Sequence, residues 1–260
     1  MSFQALDWYD TPHYYDLIFD EDTLTEATFL EAAQARYGKT RGRQVLEPAC
    51  GSGRLVVEMA RRGWKASGFD LSRPMLDYAR ERLKQTGHSA RLREDSLESF
   101  SYAPRFDLAH CLVSTFKYVL DEEGARAHLR AVAAALKPGG IYVLGFHLSD
   151  YDNTSRARER WVVKRAGTEV TCNIQSWPPE RRKRRERVRS RLVVKEAGRE
   201  LRSETEWWFR TYDAAQAKKL FRAVPELELV ALHDFTYDLE WTRELDDSQL
   251  DSLFILRRRG

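Results

Sequence analysis

Residues 46–55 read LEPACGSGRL. A short apolar strand, Gln44–Glu47, ends in an acid. A loop holding Gly51 and Gly53 follows and feeds a run of helical character, Leu55–Arg62. Glycine lacks a Cβ, so such a loop lets backbone N–H groups approach a ligand closely. A strand, a bare loop and a helix form the first half of a βα repeat, and ligands of doubly wound sheets sit beyond the carboxyl ends of their strands.

The same grammar continues on both sides of this stretch. Upstream, residues 21–36 have helical periodicity through Leu24, Ala27, Phe29, Leu30 and Ala33. Downstream, Lys65–Phe69 is a strand ended by Asp70, and Ser72 caps a helix with Pro74 in its first turn that runs to Thr86. Ala90–Arg93 is a third strand, ending at Glu94 and Asp95, and Phe106–Leu112 a fourth. A helix from Asp121 to Leu136, a turn at 137–140 and a fifth strand, Ile141–Phe146, complete the alternation. Strands alternating with helices predict a parallel sheet covered on both faces.

From Ser149 the pattern changes. Arg160–Arg165, Glu169–Trp177, Arg185–Lys195 and Leu201–Phe209 are separated by turn residues and predict a four-stranded antiparallel insertion. Asp213–Ala223 returns to helix, and Leu227–His233 and Ser252–Arg257 supply the last two strands of the main sheet. The expected division is a core at 1–148, an insertion at 149–209 and a return to the core at 210–260.

The chain has 260 residues, 42% hydrophobic and 32% charged, which suits one globular unit carrying an insertion. Cys50, Cys111 and Cys172 are widely spaced and odd in number, which argues against a disulfide framework and a zinc cluster. The six histidines have no metal-ligand spacing, so no metal is expected. The acidic start carries no signal peptide and no apolar run approaches membrane-spanning length, so a cytoplasmic protein without membrane contact is expected.

Three ligand classes compete for the glycine loop. A phosphate-gripping loop needs Gly-Lys-Ser/Thr, but Arg54 and Leu55 follow Gly53. A dinucleotide fingerprint needs a small residue where Val56 stands. S-adenosylmethionine carries an ammonium, a ribose and an adenine without phosphate. Its ammonium favours a carboxylate such as Glu47, its ribose diol suits Asp70, and its adenine amine needs an acceptor such as Asp95, ahead of Ser96. Each acid alone could be a solvated loop residue or a helix cap. All three stand at consecutive strand ends, in register with the glycines.

The motifs Glu47-Pro-Ala-Cys-Gly51-Ser-Gly53-Arg, Gly68-Phe-Asp70-Leu-Ser, Glu94-Asp95-Ser96, Phe106-Asp107-Leu and Leu136-Lys-Pro-Gly-Gly140 resemble those of class I S-adenosylmethionine-dependent methyltransferases. The resemblance covers residues 40–146 and resumes in the last strands; Ala49-Cys50 replaces a glycine common in the family. It implies an α/β fold with a Rossmann-like, doubly wound, seven-stranded, mostly parallel sheet. It also implies methionine contacts at Glu47, Ala49, Gly51 and Gly53, ribose at Asp70, and adenine against Leu71 and Met75. Asp95 and Ser96 would meet the adenine edge, and Cys111 and Leu112 would contribute backbone contacts.

The aromatic start, Trp8-Tyr9 and Tyr14-Tyr15, suits either core packing or a lid over the cofactor. The resemblance to small-molecule N-methyltransferases implies the lid and makes Tyr14 a catalytic candidate, with Tyr9 and Tyr15 facing substrate. His147 follows the fifth strand and is a candidate general base and substrate contact, whereas His110 lies inside its strand and reads as packed. In related enzymes an Arg-x-Tyr junction borders the substrate cavity, which nominates Arg210 and Tyr212.

Net charge is +3 but uneven: residues 1–35 hold eight acids and no Lys or Arg, whereas 156–191 hold thirteen Lys/Arg against four acids. The basic run 181–191 suits either a nucleic-acid surface or a solvated hairpin with Arg187, Arg189 and Arg191 on one face. A pI near 8.7 and the absence of an Asn/Asp-Pro-Pro-aromatic motif favour the hairpin. The expected activity is therefore methyl transfer to a small molecule, an amine before a hydroxyl, with a homodimer through the insertion allowed. An RNA methyltransferase and a non-catalytic cofactor-binding protein are the alternatives.

Overall fold

The computed structural model describes residues 3–103, 106–248 and 250–260. The chain opens with β1 (Gln4–Ala5), a 3-10 turn at Trp8–Asp10, α1 (Pro12–Phe19) and α2 (Thr23–Tyr37). The alternating core follows: β2 (Gln44–Pro48), α3 (Arg54–Arg61), β3 (Lys65–Asp70), α4 (Arg73–Gln85) and β4 (Arg91–Glu94). It continues with β5 (Phe106–Cys111), a 3-10 turn at Thr115–Tyr118, α5 (Glu122–Ala135) and β6 (Leu136–His147). The insertion supplies β7 (Ala157–Arg165), β8 (Thr168–Ser176), β9 (Arg185–Glu196) and β10 (Arg199–Arg210); α6 (Ala214–Arg222), β11 (Leu227–His233) and β12 (Asp251–Arg258) close the core.

Local chemistry fixes the helix starts. Ser72 Oγ accepts from Met75 N at the head of α4, and Asp121 Oδ1 accepts from Gly124 N at 2.7 Å at the head of α5. Asp213 and Gln216 form a reciprocal capping box on α6. The seven-stranded sheet runs β11-β12-β6-β5-β2-β3-β4, parallel from β6 to β4, with β12 antiparallel to both its neighbours. Strand order reverses between β2 and β5. The ends of those two strands, Glu47-Pro48 and His110-Cys111, therefore face the crevice where such sheets take ligands.

The sheet is covered on both faces. Phe69, Phe116, Phe146, Tyr212 and Phe254 fill one side beneath α5 and α6, and Phe29, Leu30, Leu55, Met59 and Leu76 fill the other. One strand differs from the sequence expectation: β6 begins at Leu136, before the Lys-Pro-Gly-Gly turn, because Phe106 already pairs with Leu136 across a register shift.

The second sheet has five strands rather than the four expected, in the order β1-β10-β9-β8-β7. The additional strand is β1, which pairs parallel with β10 through Gln4↔Ser203 and Ala5↔Glu204. Val188, Ser190, Leu192 and Val194 of β9 are buried, and Arg187, Arg189 and Arg191 take the opposite face, as period-two alternation requires. The buried face packs against the N-terminal segment. Trp8, Ile18, Val170, Cys172, Leu192 and Val194 form a third apolar cluster, joined by Tyr15, Phe19, Trp161 and Trp207. The aromatic start is thus both core of the insertion and roof of the crevice.

Salt bridges dock these parts. Asp16 accepts from Arg82 Nη1 at 2.7 Å and from Ser52 Oγ of the glycine loop at 2.7 Å, tying α1 to the core. Arg184 and Arg210, at the two ends of the β9–β10 hairpin, both converge on Glu122 of α5, at 3.0 and 2.8 Å. Among the described residues no helix is long and apolar enough to cross a membrane.

Candidate active site

The two loop glycines are needed for different reasons. Both have positive φ, +50° at Gly51 and +73° at Gly53. A Cβ on Gly53 would stand 2.6 Å from Ala79 Cβ, so that glycine lets α3 and α4 pack closely. A Cβ on Gly51 would meet nothing within 4 Å, so that glycine borders open space. Its N–H donates to Asp70 Oδ2 at 2.8 Å, and Asp70 Oδ1 accepts from Ser72 N at 2.8 Å. Burial raises the Asp70 pKa, and these backbone donors work against that rise.

Beneath the loop lies Glu47. Its Oε2 is buried and has no hydrogen-bond partner among the described residues, and burial pushes its pKa well above the usual carboxylate range. The nearby Arg54 is committed elsewhere, to Glu26, its ion-pair partner. His110 stands 3.9 Å from Glu47 Oε1 with both ring nitrogens unpartnered, and burial brings its pKa down to about 3. A buried carboxylate oxygen beside a bare glycine is suited to an incoming ammonium.

Glu47 and Gly51 open into a cavity of about 610 Å³ between the carboxyl ends of the core strands, the N-terminal segment and the insertion. Of the residues nominated from sequence, Tyr9, Tyr15, Glu47, Ala49, Gly51, Cys111, Leu112 and His147 line it. Asp70 joins them through its bond to the Gly51 amide. His147 Nδ1 is 2.7 Å from Asp251 Oδ1, and this contact holds the Asp251 carboxyl below its usual pKa. The carboxylate can only accept, so Nδ1 carries the hydrogen, and in the neutral ring the acceptor nitrogen is Nε2.

Other nominations are placed differently. Tyr14 donates to Glu196 Oε2 at 3.1 Å on the outer side and does not line the cavity, which removes it as a catalytic candidate there. Arg210 and Tyr212 do not line it either. Arg210 bonds Glu122 and the Leu120 carbonyl, and Tyr212 is fully buried between Phe116 and Phe146. The Arg-x-Tyr junction is therefore a structural joint. Met75 is also fully buried, whereas Leu71 beside it is 67% exposed. Asp95 is ion-paired with Arg93 and accepts from Ser96 N at 2.9 Å; both residues lie outside the cavity lining.

Sequence reading missed Asp251, Lys117 and Glu186, all of which line the cavity. Asp251 pairs directly with His147 across β12 and β6. Extending the last strand by one residue, from Ser252 to Asp251, would have placed the acid opposite the histidine. Lys117 and Glu186 carried no such signal, because they meet only when the insertion docks.

Residues 45–140 match a family described as "Methyltransferase domain". Residues 45–140 form a methyltransferase domain. This assignment accounts for the strand order, the glycine loop and the acids at the strand ends of the methyltransferase core. A ubiquinone biosynthesis O-methyltransferase of Proteus mirabilis is 28% identical over 147 residues, 56% of each chain. The chain spans about half the length of the curated relatives it matches. Solved structures match further along the chain. An S-adenosylmethionine-dependent methyltransferase from Clostridium acetobutylicum superposes with TM-score 0.77 at 18% identity, covering 95% of this chain and 97% of that one. The sugar N-methyltransferase KedS8 from Streptoalloteichus gives TM-score 0.77 at 20% identity over 100% and 96%. The methyltransferase fold with its insertion is thus shared over the full chain.

Proposed function

We propose that the protein transfers the methyl group of S-adenosylmethionine to the amine of a small molecule held in the cavity between the core and the insertion. The observation that carries this reading is the charge of the cavity. Its two cations, Arg54 and Lys117, are each ion-paired with a lining acid, Glu26 and Glu186. Six further acids line it: Glu21, Asp22, Glu47, Asp150, Glu159 and Asp251. Aromatic walls lower the local dielectric and strengthen the attraction of these acids for a cationic amine.

The residues fit the cofactor. Glu47 would hold its ammonium, Gly51 would leave room for its backbone-close approach, and Asp70 would accept from its ribose. When bound, the cofactor supplies an electrophilic methyl on a sulfonium, so the protein has mainly to align, desolvate and deprotonate the acceptor. His147, oriented by Asp251, is the group that would take the proton from the acceptor ammonium at Nε2. Tyr9 and Tyr15 close the roof and exclude water.

Full-length similarity to an N-methyltransferase of sugars supports the amine reading; the O-methyltransferase relatives match only half of the chain. Several arginines of the basic run are engaged within the fold, which favours the small-molecule reading over an RNA one. Arg191 bonds Glu204 at 2.5 Å, Arg187 covers the Trp177 ring at 3.9 Å, and Arg184 is anchored to Glu122. The test is a panel of matched amines, alcohols and phenols with S-adenosylmethionine, read by mass spectrometry. N-methylated products are expected; methylation confined to hydroxyls would overturn the amine assignment.

A further inference from the structure

The cavity wall built by the turn Thr115–Tyr118 and by β9 and β10 holds an ion pair with no evident part in methyl transfer. Lys117 Nζ donates to Glu186 Oε1 at 2.9 Å, and Lys117 is only 2% exposed. An ammonium has three hydrogens. Among the described residues Glu186 is the one side-chain acceptor for them, with the Phe209 ring 5.2 Å away. Burying an ion pair seldom stabilises a fold more than apolar residues of the same volume would, so stability alone does not explain it. Beside it, the rings of Trp8 and Trp207 stack at 5.0 Å. Both line the cavity, Trp8 is 4% exposed, and neither indole N–H has an acceptor among the described residues.

The wall therefore offers flat apolar faces, three donor groups with hydrogens to spare and one carboxylate. That combination suits a ring whose C–H face lies on an indole, whose oxygens accept from the donors and whose hydroxyl donates to the carboxylate. We propose that Lys117 and Glu186, together with the Trp8–Trp207 pair, determine acceptor specificity by binding a hydroxyl-bearing part of the acceptor. This rests on the cavity being an amine-acceptor site, and the test separates the two ideas. A site that hydrogen-bonds a hydroxyl rejects the analogue lacking it, because its buried polar groups are then left unpaired.

Calorimetry on the protein loaded with S-adenosylhomocysteine would compare cyclohexylamine, the 2-, 3- and 4-aminocyclohexanols and cyclohexane-1,2-diol. The best aminocyclohexanol is expected to bind at least about tenfold tighter than cyclohexylamine. In Lys117→Met, and in the double variant Lys117→Met/Glu186→Met, that ratio should fall below about threefold. The double variant leaves no lone charge in the wall, so it guards against simple misfolding. General damage to the cavity would weaken both amines in parallel and leave the ratio intact. Equal binding of the two amine types by the wild type, or a preference that survives the double variant, overturns the proposal. Binding of the diol but of no amine, lost in the double variant, keeps the subsite and sinks the amine reading. No binding of any compound overturns both.

Discussion

Glu47 in the methyltransferase core and Glu204 in the insertion are both carboxylates beside arginines, and the fold treats them in opposite ways. Glu204 is half-buried on the outer face of β10 and takes Arg191 at 2.5 Å, with Arg189 at 3.7 Å. Glu47 lies near Arg54, yet Arg54 is bound to Glu26 and Glu47 Oε2 is left unpartnered. The difference separates charges paired within the fold from a carboxylate left without a partner among the described residues. Where water still reaches both partners, an ion pair costs little and contributes little. Where it is scarce, an unpaired carboxylate is expensive, so its survival points to a partner that arrives later.

The largest expected effect comes from breaking the joint between the two regions. Glu122 receives both Arg184 and Arg210, and the Arg210 side chain is 9% exposed. Glu122→Ala would leave that guanidinium buried without its carboxylate. Losing one partner of a buried pair costs about 3–5 kcal/mol; partial exposure of Glu122 puts this case near the lower end. Urea denaturation should show the loss. A change below about 0.5 kcal/mol, the level of an ordinary surface substitution, would mean that the hairpin is not anchored there.

That joint also shows what could be read from the sequence. Glycines and acids at strand ends were legible because they follow from a local pattern repeated every βα unit: β2, β3 and β4 ended close to where the acids said they would. Arg210 and Tyr212 were nominated for substrate, but docking of the hairpin on α5 turned them inward. The pairing of β1 with β10 was illegible for a similar reason. Two residues carry no periodicity, and their partner lies about 200 positions away, at Ser203–Glu204. Local alternation fixes which face a residue takes; what covers that face is decided by the rest of the chain.

A smaller effect, of opposite sign for stability and binding, is expected at Glu47. Its pKa is raised in the folded protein by burial. At low pH the carboxyl is protonated in both folded and unfolded chains, and the burial is tolerated. As pH rises past the usual value near 4.5, the unfolded chain ionises first. Stability is then lost until pH passes the folded value. Glu47→Gln removes this loss, so the free variant should melt higher than the wild type at pH 8, by about 2–4 °C if the gain is 1 kcal/mol, and the gap should shrink toward pH 5. The same change should weaken S-adenosylmethionine binding by about 1.5–3 kcal/mol, through loss of a charged hydrogen bond. A variant that binds the cofactor as tightly as the wild type would take Glu47 out of the site.

The smallest effect should come from the exposed crown of the insertion. Arg181 and Arg182 sit in the turn that precedes β9, with Arg181 3.5 Å from Asp152 and over the Tyr151 ring. Arg184, three positions on, is excluded from this test because it anchors the hairpin to Glu122. Arg181→Ser/Arg182→Ser should change stability by no more than about 0.5 kcal/mol and leave methylation of small acceptors intact, since exposed ion pairs are worth little. If the crown instead gripped phosphates, the wild type would bind RNA with an affinity falling steeply as salt rises. Each lost contact would then flatten that dependence by about one counterion. Filter binding of both proteins between low and physiological salt reads the difference. Tight, salt-sensitive RNA binding that the double variant loses would show that the insertion holds charges in reserve for a ligand, as we propose for Glu47 in the core.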